Sequence, residues 1–168
     1  MARKPEVAVA RAVGAGVLAA LCLEAVAVGL APVLGLPRLD YVRLIGTLAA
    51  AGFSMPASRP WLIPGLGFFI AGGIGWALIY AAHLHDRLLG PGWLQGLAYG
   101  GFGVFLISSL VFFPALGVVH PEVRANHMPA PGLFGIGLSG SRVVLVNFVG
   151  HCVFGLIVGV LYRRRFVF

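Results

Sequence analysis

The stretch 143-VVLVNFVGHCVFGLIVGVLYRRR-165 decides the fold. From Val143 to Tyr162 it holds no Asp, Glu, Lys or Arg, and three arginines follow at once. A bilayer core takes about 20 apolar residues of helix. The run therefore reads as a membrane-crossing helix, with Arg163, Arg164 and Arg165 anchoring its end among lipid headgroups. Inside it stand His151 and Cys152, where apolar side chains would serve.

The rest of the chain has the same character. Of its 168 residues 60% are hydrophobic and 10% charged, and the mean hydropathy is +0.98. A soluble domain carries roughly 25% charged residues, so this chain cannot cover a water-facing surface and lipid is its solvent. Its 25 glycines are scattered through apolar runs, as in packed membrane helices. The net charge of +7 does not point to nucleic acid, because the basic residues close apolar runs and form no stripe. Cys22 and Cys152 give neither a zinc spacing nor a disulfide framework.

Four spans follow from the apolar runs: Val13–Leu34, Leu62–His83, Leu94–Val118 and Val143–Tyr162. The expected fold is an all-α integral membrane protein of four transmembrane helices in one membrane domain, residues 1–168. Arg3, Lys4 and 25-AVA-27 imitate a signal peptide, but the apolar run continues past them and is expected to remain as the first helix. Seven basic residues fall on the side of the termini (Arg3, Lys4, Arg11, Arg87 and Arg163 to Arg165) and five on the other (Arg38, Arg43, Arg59, Arg124 and Arg142). This bias predicts both termini in the cytoplasm. Tyr80 and Tyr162 close two spans, while Trp61 and Trp93 open two, so these four aromatics are expected as interfacial anchors.

The chain also resembles itself. A shift of 82 residues sets 31-APVLG-35 on 113-FPALG-117, Gly14 on Gly96, Gly73 on Gly155, Ala77 on Gly159 and Tyr80 on Tyr162. Two repeated helical hairpins are expected, about 8–86 and about 90–168, related by an axis along the membrane normal. Each has a long connection. Residues 37–60 hold an apolar stretch too short to span, read as a short helix on the interface. In the second connection, 132-GLFGIGL-138 can dip into the membrane edge only where protein covers it.

Asn147, His151, Gly155 and Gly159 fall at steps of four and share one helix face. Gly16, Ala20, Glu24, Ala27 and Ala31 form a similar stripe on the first helix. Gly73, Ala77, Gly96 and Gly100 add further small positions, and such residues let helix backbones approach closely. Ser108 and Ser109 are placed to hydrogen-bond within the bundle. Glu24 and His151 each lie about 12 Å from the same end of their helices, at 1.5 Å per residue. An intramembrane charge needs a partner, so they form a candidate intramembrane polar pair. Three roles stay open for it: a clasp fixing helix register, a proton-handling pair in a transporter, or a haem or metal site with His151 as ligand. His120, Glu122 and His127 share a loop and are the other weak metal candidates, at a spacing matching no specific motif. No nucleophile elbow, phosphate loop or paired carboxylates occur, and no cofactor or catalytic residue is predicted.

The segments 150-GHCVFGLIVGVLY-162, 73-GIGWALIYAAH-83 and 113-FPALG-117 resemble a family of four-helix, Gly-rich bacterial inner-membrane proteins. The resemblance covers most of the chain and implies that fold and a bacterial inner-membrane location. It brings no activity with it. Glu24 is also similar in placement to the first-helix carboxylate of small multidrug exporters, although this chain is longer and lacks the rest of their pattern. The expectation is a non-catalytic accessory or scaffold subunit packing against other membrane proteins or against itself. The alternatives are a proton-coupled transporter using Glu24 and His151, and a haem- or metal-binding subunit.

Overall fold

The computed structural model describes residues 8–52, 61–85 and 87–162, and no strand occurs among them. Four helices are long and apolar enough to cross a bilayer: α1 (Val9–Val33), α3 (Leu62–Leu84), α4 (Gly92–Val119) and α5 (Arg142–Leu161). Between α1 and α3 lies the shorter α2 (Tyr41–Gly52). The chain is thus an all-α, multi-pass membrane protein, and each predicted span is present to within about a turn. Leu18, Ile63, Phe102, Val111, Leu145 and Val160 stand exposed on its outward faces. In water such a surface would be an aggregation liability. In a bilayer it is the solvated surface.

The helices pack in the order α3–α1–α5–α4, with α1 against both α3 and α5, and α5 against both α1 and α4. Small residues set the two tightest crossings. A Cβ built on Gly155 would lie 2.8 Å from the Cα of Gly100, and one on Gly159 would lie 2.8 Å from the Cα of Gly96. Only hydrogen fits there, so α4 and α5 touch backbone to backbone. At the α1–α3 crossing a Cβ on Gly16 would lie 2.7 Å from the Cα of Ile74, and one on Gly73 2.7 Å from the Cβ of Ala20, with Ala77 buried one turn on. Gly14, in contrast, has nothing within 4 Å.

One expectation changes and another is sharpened. Tyr80 and Tyr162 are buried, not interfacial anchors facing lipid. Their rings meet edge to face at 6.2 Å, and the Tyr80 hydroxyl donates to Gln95 Oε1 at 3.2 Å. They plug the end of the bundle near the termini because their rings have aromatic and amide partners inside it. Trp93 is exposed and Trp61 half-buried, while Arg163, Arg164 and Arg165 lie outside the described residues. The second is sharpened: α2 is the short helix expected in this connection, and it packs on α3, where a Cβ on Gly65 would come within 2.9 Å of the Cα of Gly46. Its first residue, Tyr41, is buried in the bundle. In the later connection Gly135 takes a positive φ of 76° beneath the ring of Phe113, and Phe134 lies 5.9 Å from Phe105 of α4. Protein therefore covers the Gly-rich turn on that side.

The crossings give a direct test. Gly155→Ala forces a methyl against the backbone of α4 and is expected to destabilise the protein by about 1–3 kcal/mol. Gly14→Ala adds a methyl in open space and should stay within about 0.5 kcal/mol of the parent. Thermal unfolding of both variants in the same detergent measures the difference. Equal midpoints would show that the α4–α5 crossing is looser than described.

Candidate functional site

The site begins with α2. A helix N-terminus presents four N–H groups without helical partners. Here the first helical bond runs from Leu44 N to the Asp40 carbonyl at 3.1 Å, and Asp40 Oδ1 accepts from the Arg43 N–H, one of those four, at 2.7 Å. Two more are answered from another helix: Glu24 of α1 accepts from Tyr41 N at 3.3 Å and from Val42 N at 3.2 Å. The positive end of the α2 dipole faces the same carboxyl. Glu24 thus serves as a cap supplied across space.

Tyr41, held by that cap, reaches across the bundle. Its hydroxyl donates to Asn147 Oδ1 at 2.6 Å, and Asn147 Nδ2 donates to Ser109 Oγ at 2.9 Å. Burial, with the charge of Glu24 adding to it, holds the Tyr41 phenol well above its ordinary range, so it stays a donor. Asn147 and Ser109 are both fully buried. The backbone carbonyl of Asn147 accepts from His151 Nδ1 at 2.8 Å. With the proton on Nδ1, the neutral imidazole presents Nε2 as an acceptor.

His151 lines a crevice of about 500 Å³, within the usual range of small-molecule pockets, and Nε2 is its ring nitrogen without a partner among the described residues. Leu23 of α1, Tyr41, Ile45 and Leu48 of α2, Phe69 and Trp76 of α3, Ile107 of α4, and Phe154 of α5 line it. Besides His151 and Tyr41, the lining residues with a polar group on the side chain are Ser108 and Trp76, whose indole carries an N–H. Phe68 and Gly72 of α3 and Ile107 and Phe112 of α4 also border it and are exposed on the bundle surface. The crevice therefore opens sideways between α3 and α4, onto lipid. Near the termini those helices meet again, where the Tyr99 hydroxyl donates to the Trp76 carbonyl at 2.8 Å.

No family model, curated protein or solved structure matches the chain. What the site does must come from its own chemistry.

Glu24 and His151 share a neighbourhood but not a bond. Glu24 binds the backbone of Tyr41, and His151 sets its ring 6.1 Å from the Tyr41 ring, at 80°. Among the described residues no hydrogen bond or ion pair joins the two. Glu24 does not line the crevice; His151 does. The loop candidates for a metal are engaged in other bonds. His120 is buried, with Nδ1 accepting from Glu122 N at 3.2 Å and Nε2 within 3.1 Å of the Leu44 carbonyl and 3.0 Å of Thr47 Oγ1. It ties the second long connection to α2. His127 pairs with Glu122 at 3.3 Å on the surface. Among the described residues no group of three His, Cys, Asp or Glu side chains could hold a metal ion. Cys152 is half-buried over Gly101. Gly73, Ala77, Gly96, Gly100, Gly155 and Gly159 are buried at the helix crossings.

Tyr41 is the residue that reading the sequence missed. Its signal was Asp40 directly before an apolar-periodic run, the ordinary mark of a helix N-cap.

Glu24→Ala is expected to orphan two amides and destabilise α2 by about 1–3 kcal/mol. Glu24→Gln keeps one carbonyl oxygen and should lose less. Hydrogen exchange of the peptide covering residues 41–44 in nanodiscs reads this directly. Unchanged protection in Glu24→Ala would remove Glu24 from the role of cap.

Proposed function

We propose that the protein is a non-catalytic accessory protein of the bacterial inner membrane that takes an apolar molecule from the bilayer into the crevice between α3 and α4. The crevice itself is the observation that supports this: an apolar, laterally open space beside a buried and otherwise closed polar network. The small-residue faces that favoured a scaffold for other proteins are used within the chain, at α1–α3 and α4–α5. A partner subunit on the exposed apolar faces is compatible with this role, and lipid alone also satisfies them.

The loop charges favour both termini on the cytoplasmic side. A duplicated hairpin is part of the same proposal. Gly73 and Ala77 meet Gly16 and Ala20 much as Gly155 and Gly159 meet Gly96 and Gly100. The partner of Gly96 in that likeness is Gly16, two residues beyond the Gly14 that an ungapped alignment selects. Proton-coupled transport finds less support, because Glu24 is occupied by α2 and stands outside the crevice. A haem or metal role would rest on His151 alone.

Trp76 lines the crevice and makes it observable. In a Trp61→Phe, Trp93→Phe background, phospholipid brominated along its acyl chain is expected to quench Trp76 emission. Gly72→Phe adds a ring at the mouth, where a Cβ would meet nothing within 4 Å, and quenching is expected to fall while the thermal unfolding midpoint stays near that of the parent. Quenching that Gly72→Phe leaves untouched would overturn the proposal.

A further inference from the structure

We infer that the crevice recognises its apolar occupant by one neutral hydroxyl, which donates a hydrogen bond to His151 Nε2. This rests on the crevice's taking an apolar molecule, and adds what that molecule must carry. His151 is 5% exposed. Its Nδ1 is bound to the Asn147 carbonyl, and its ring is flanked by Tyr41 and Phe105, each at 6.1 Å. The ring is thus held from several sides, and Nε2 points in a fixed direction. Among the described residues nothing donates to it. Asn147 cannot turn to help, since its side-chain amide is engaged by Tyr41 and Ser109 at once. An acceptor facing an apolar space without a donor forgoes a hydrogen bond worth about 0.5–1.5 kcal/mol, and a donor on the occupant supplies it.

The kind of donor follows from the lining. A saturated chain has no donor. An ester or ether oxygen is itself an acceptor. An ammonium group donates, but it would bring a charge into a space whose lining includes no Asp or Glu, and an unpaired charge there is expensive. A neutral hydroxyl on an apolar body satisfies every condition. It arrives by the route the crevice offers, from the lipid side. Two membrane sources share this chemistry, a lipid alcohol such as a diacylglycerol and a long-chain hydroquinone.

The test uses the full chain in nanodiscs and two probes, a terminally brominated hexadecanol and its methyl ether. They have the same chain and oxygen; only the alcohol donates. Trp76 quenching in the Trp61→Phe, Trp93→Phe background gives each affinity. The alcohol is expected to bind about tenfold more tightly than the ether, the equivalent of one added hydrogen bond of about 1.4 kcal/mol. In His151→Leu that preference should vanish while the ether's affinity holds. Should His151→Leu fail to fold, nitrogen-15 NMR of His151 in the parent replaces it. There the Nε2 resonance should move with the alcohol and not with the ether. Displacement of the brominated alcohol by diacylglycerol or by hydroquinone is expected, and the tighter competitor identifies the source. Equal affinities for alcohol and ether, an Nε2 signal that water alone accounts for, or displacement by neither competitor would overturn the inference while leaving the crevice as an apolar site. Absence of quenching by both probes would instead overturn the apolar site beneath it.

Discussion

Lipid offers no hydrogen bonds, so the polar groups inside this bundle look to the chain itself for partners, and among the described residues the buried Tyr162 hydroxyl goes without one. The two bonds from Glu24 to the first amides of α2 are where that constraint bears most heavily. They fasten a helix too short to span a membrane onto helices that do. With α2 fixed, Tyr41 reaches Asn147, Asn147 reaches Ser109, and one line of bonds runs from α1 through α2 and α5 to α4. Ile45 and Leu48 of the same helix then form the wall of the crevice. A carboxyl that looks chemical in the sequence is, in the fold, what holds that wall in place.

The crevice is also a consequence of where glycine stands and where it does not. At α4–α5 and α1–α3, glycines and alanines let backbones meet. Facing each other across α3 and α4 are Phe69, Trp76, Ile107 and Phe112 instead. Side chains of that size hold helices apart unless they interdigitate. The two helices are joined near the termini, where Tyr99 bonds the Trp76 carbonyl and Tyr80 bonds Gln95. A space pinned at one end and propped by aromatics along its length is the geometry that results.

The spans were legible because apolar run length is a local property, and bilayer thickness converts it directly into helices. The stripe of Asn147, His151, Gly155 and Gly159 was legible for a similar reason: helical period alone puts those residues on one face. Which face that stripe meets was not. Tyr41 and Asn147 are 106 residues apart, and no periodicity encodes their hydrogen bond. Depth arithmetic brought Glu24 and His151 to one level correctly enough to make both neighbours of Tyr41. It could not foresee that a third residue would stand between them. Tyr80 and Tyr162 misled because an aromatic at a helix end reads the same whether it turns toward headgroups or inward. Only the presence of Gln95 and of each other's rings decides it.

His151 remains the residue whose chemistry exceeds its structural need. Its bond to the Asn147 carbonyl adds little to stability, because that carbonyl already belongs to the helix. A leucine would fill the same volume without presenting an acceptor to an apolar space. The other members of the buried line are engaged with one another: the carboxyl of Glu24 with two amides, the phenol of Tyr41 with an amide oxygen, the amide of Asn147 with a phenol and a serine. Groups engaged in this way hold one another in place, and that constraint reaches the His151 ring through the Asn147 carbonyl. Nε2 of His151 is held still by everything around it and answered by none of it, which is the condition for recognising a donor that comes from outside.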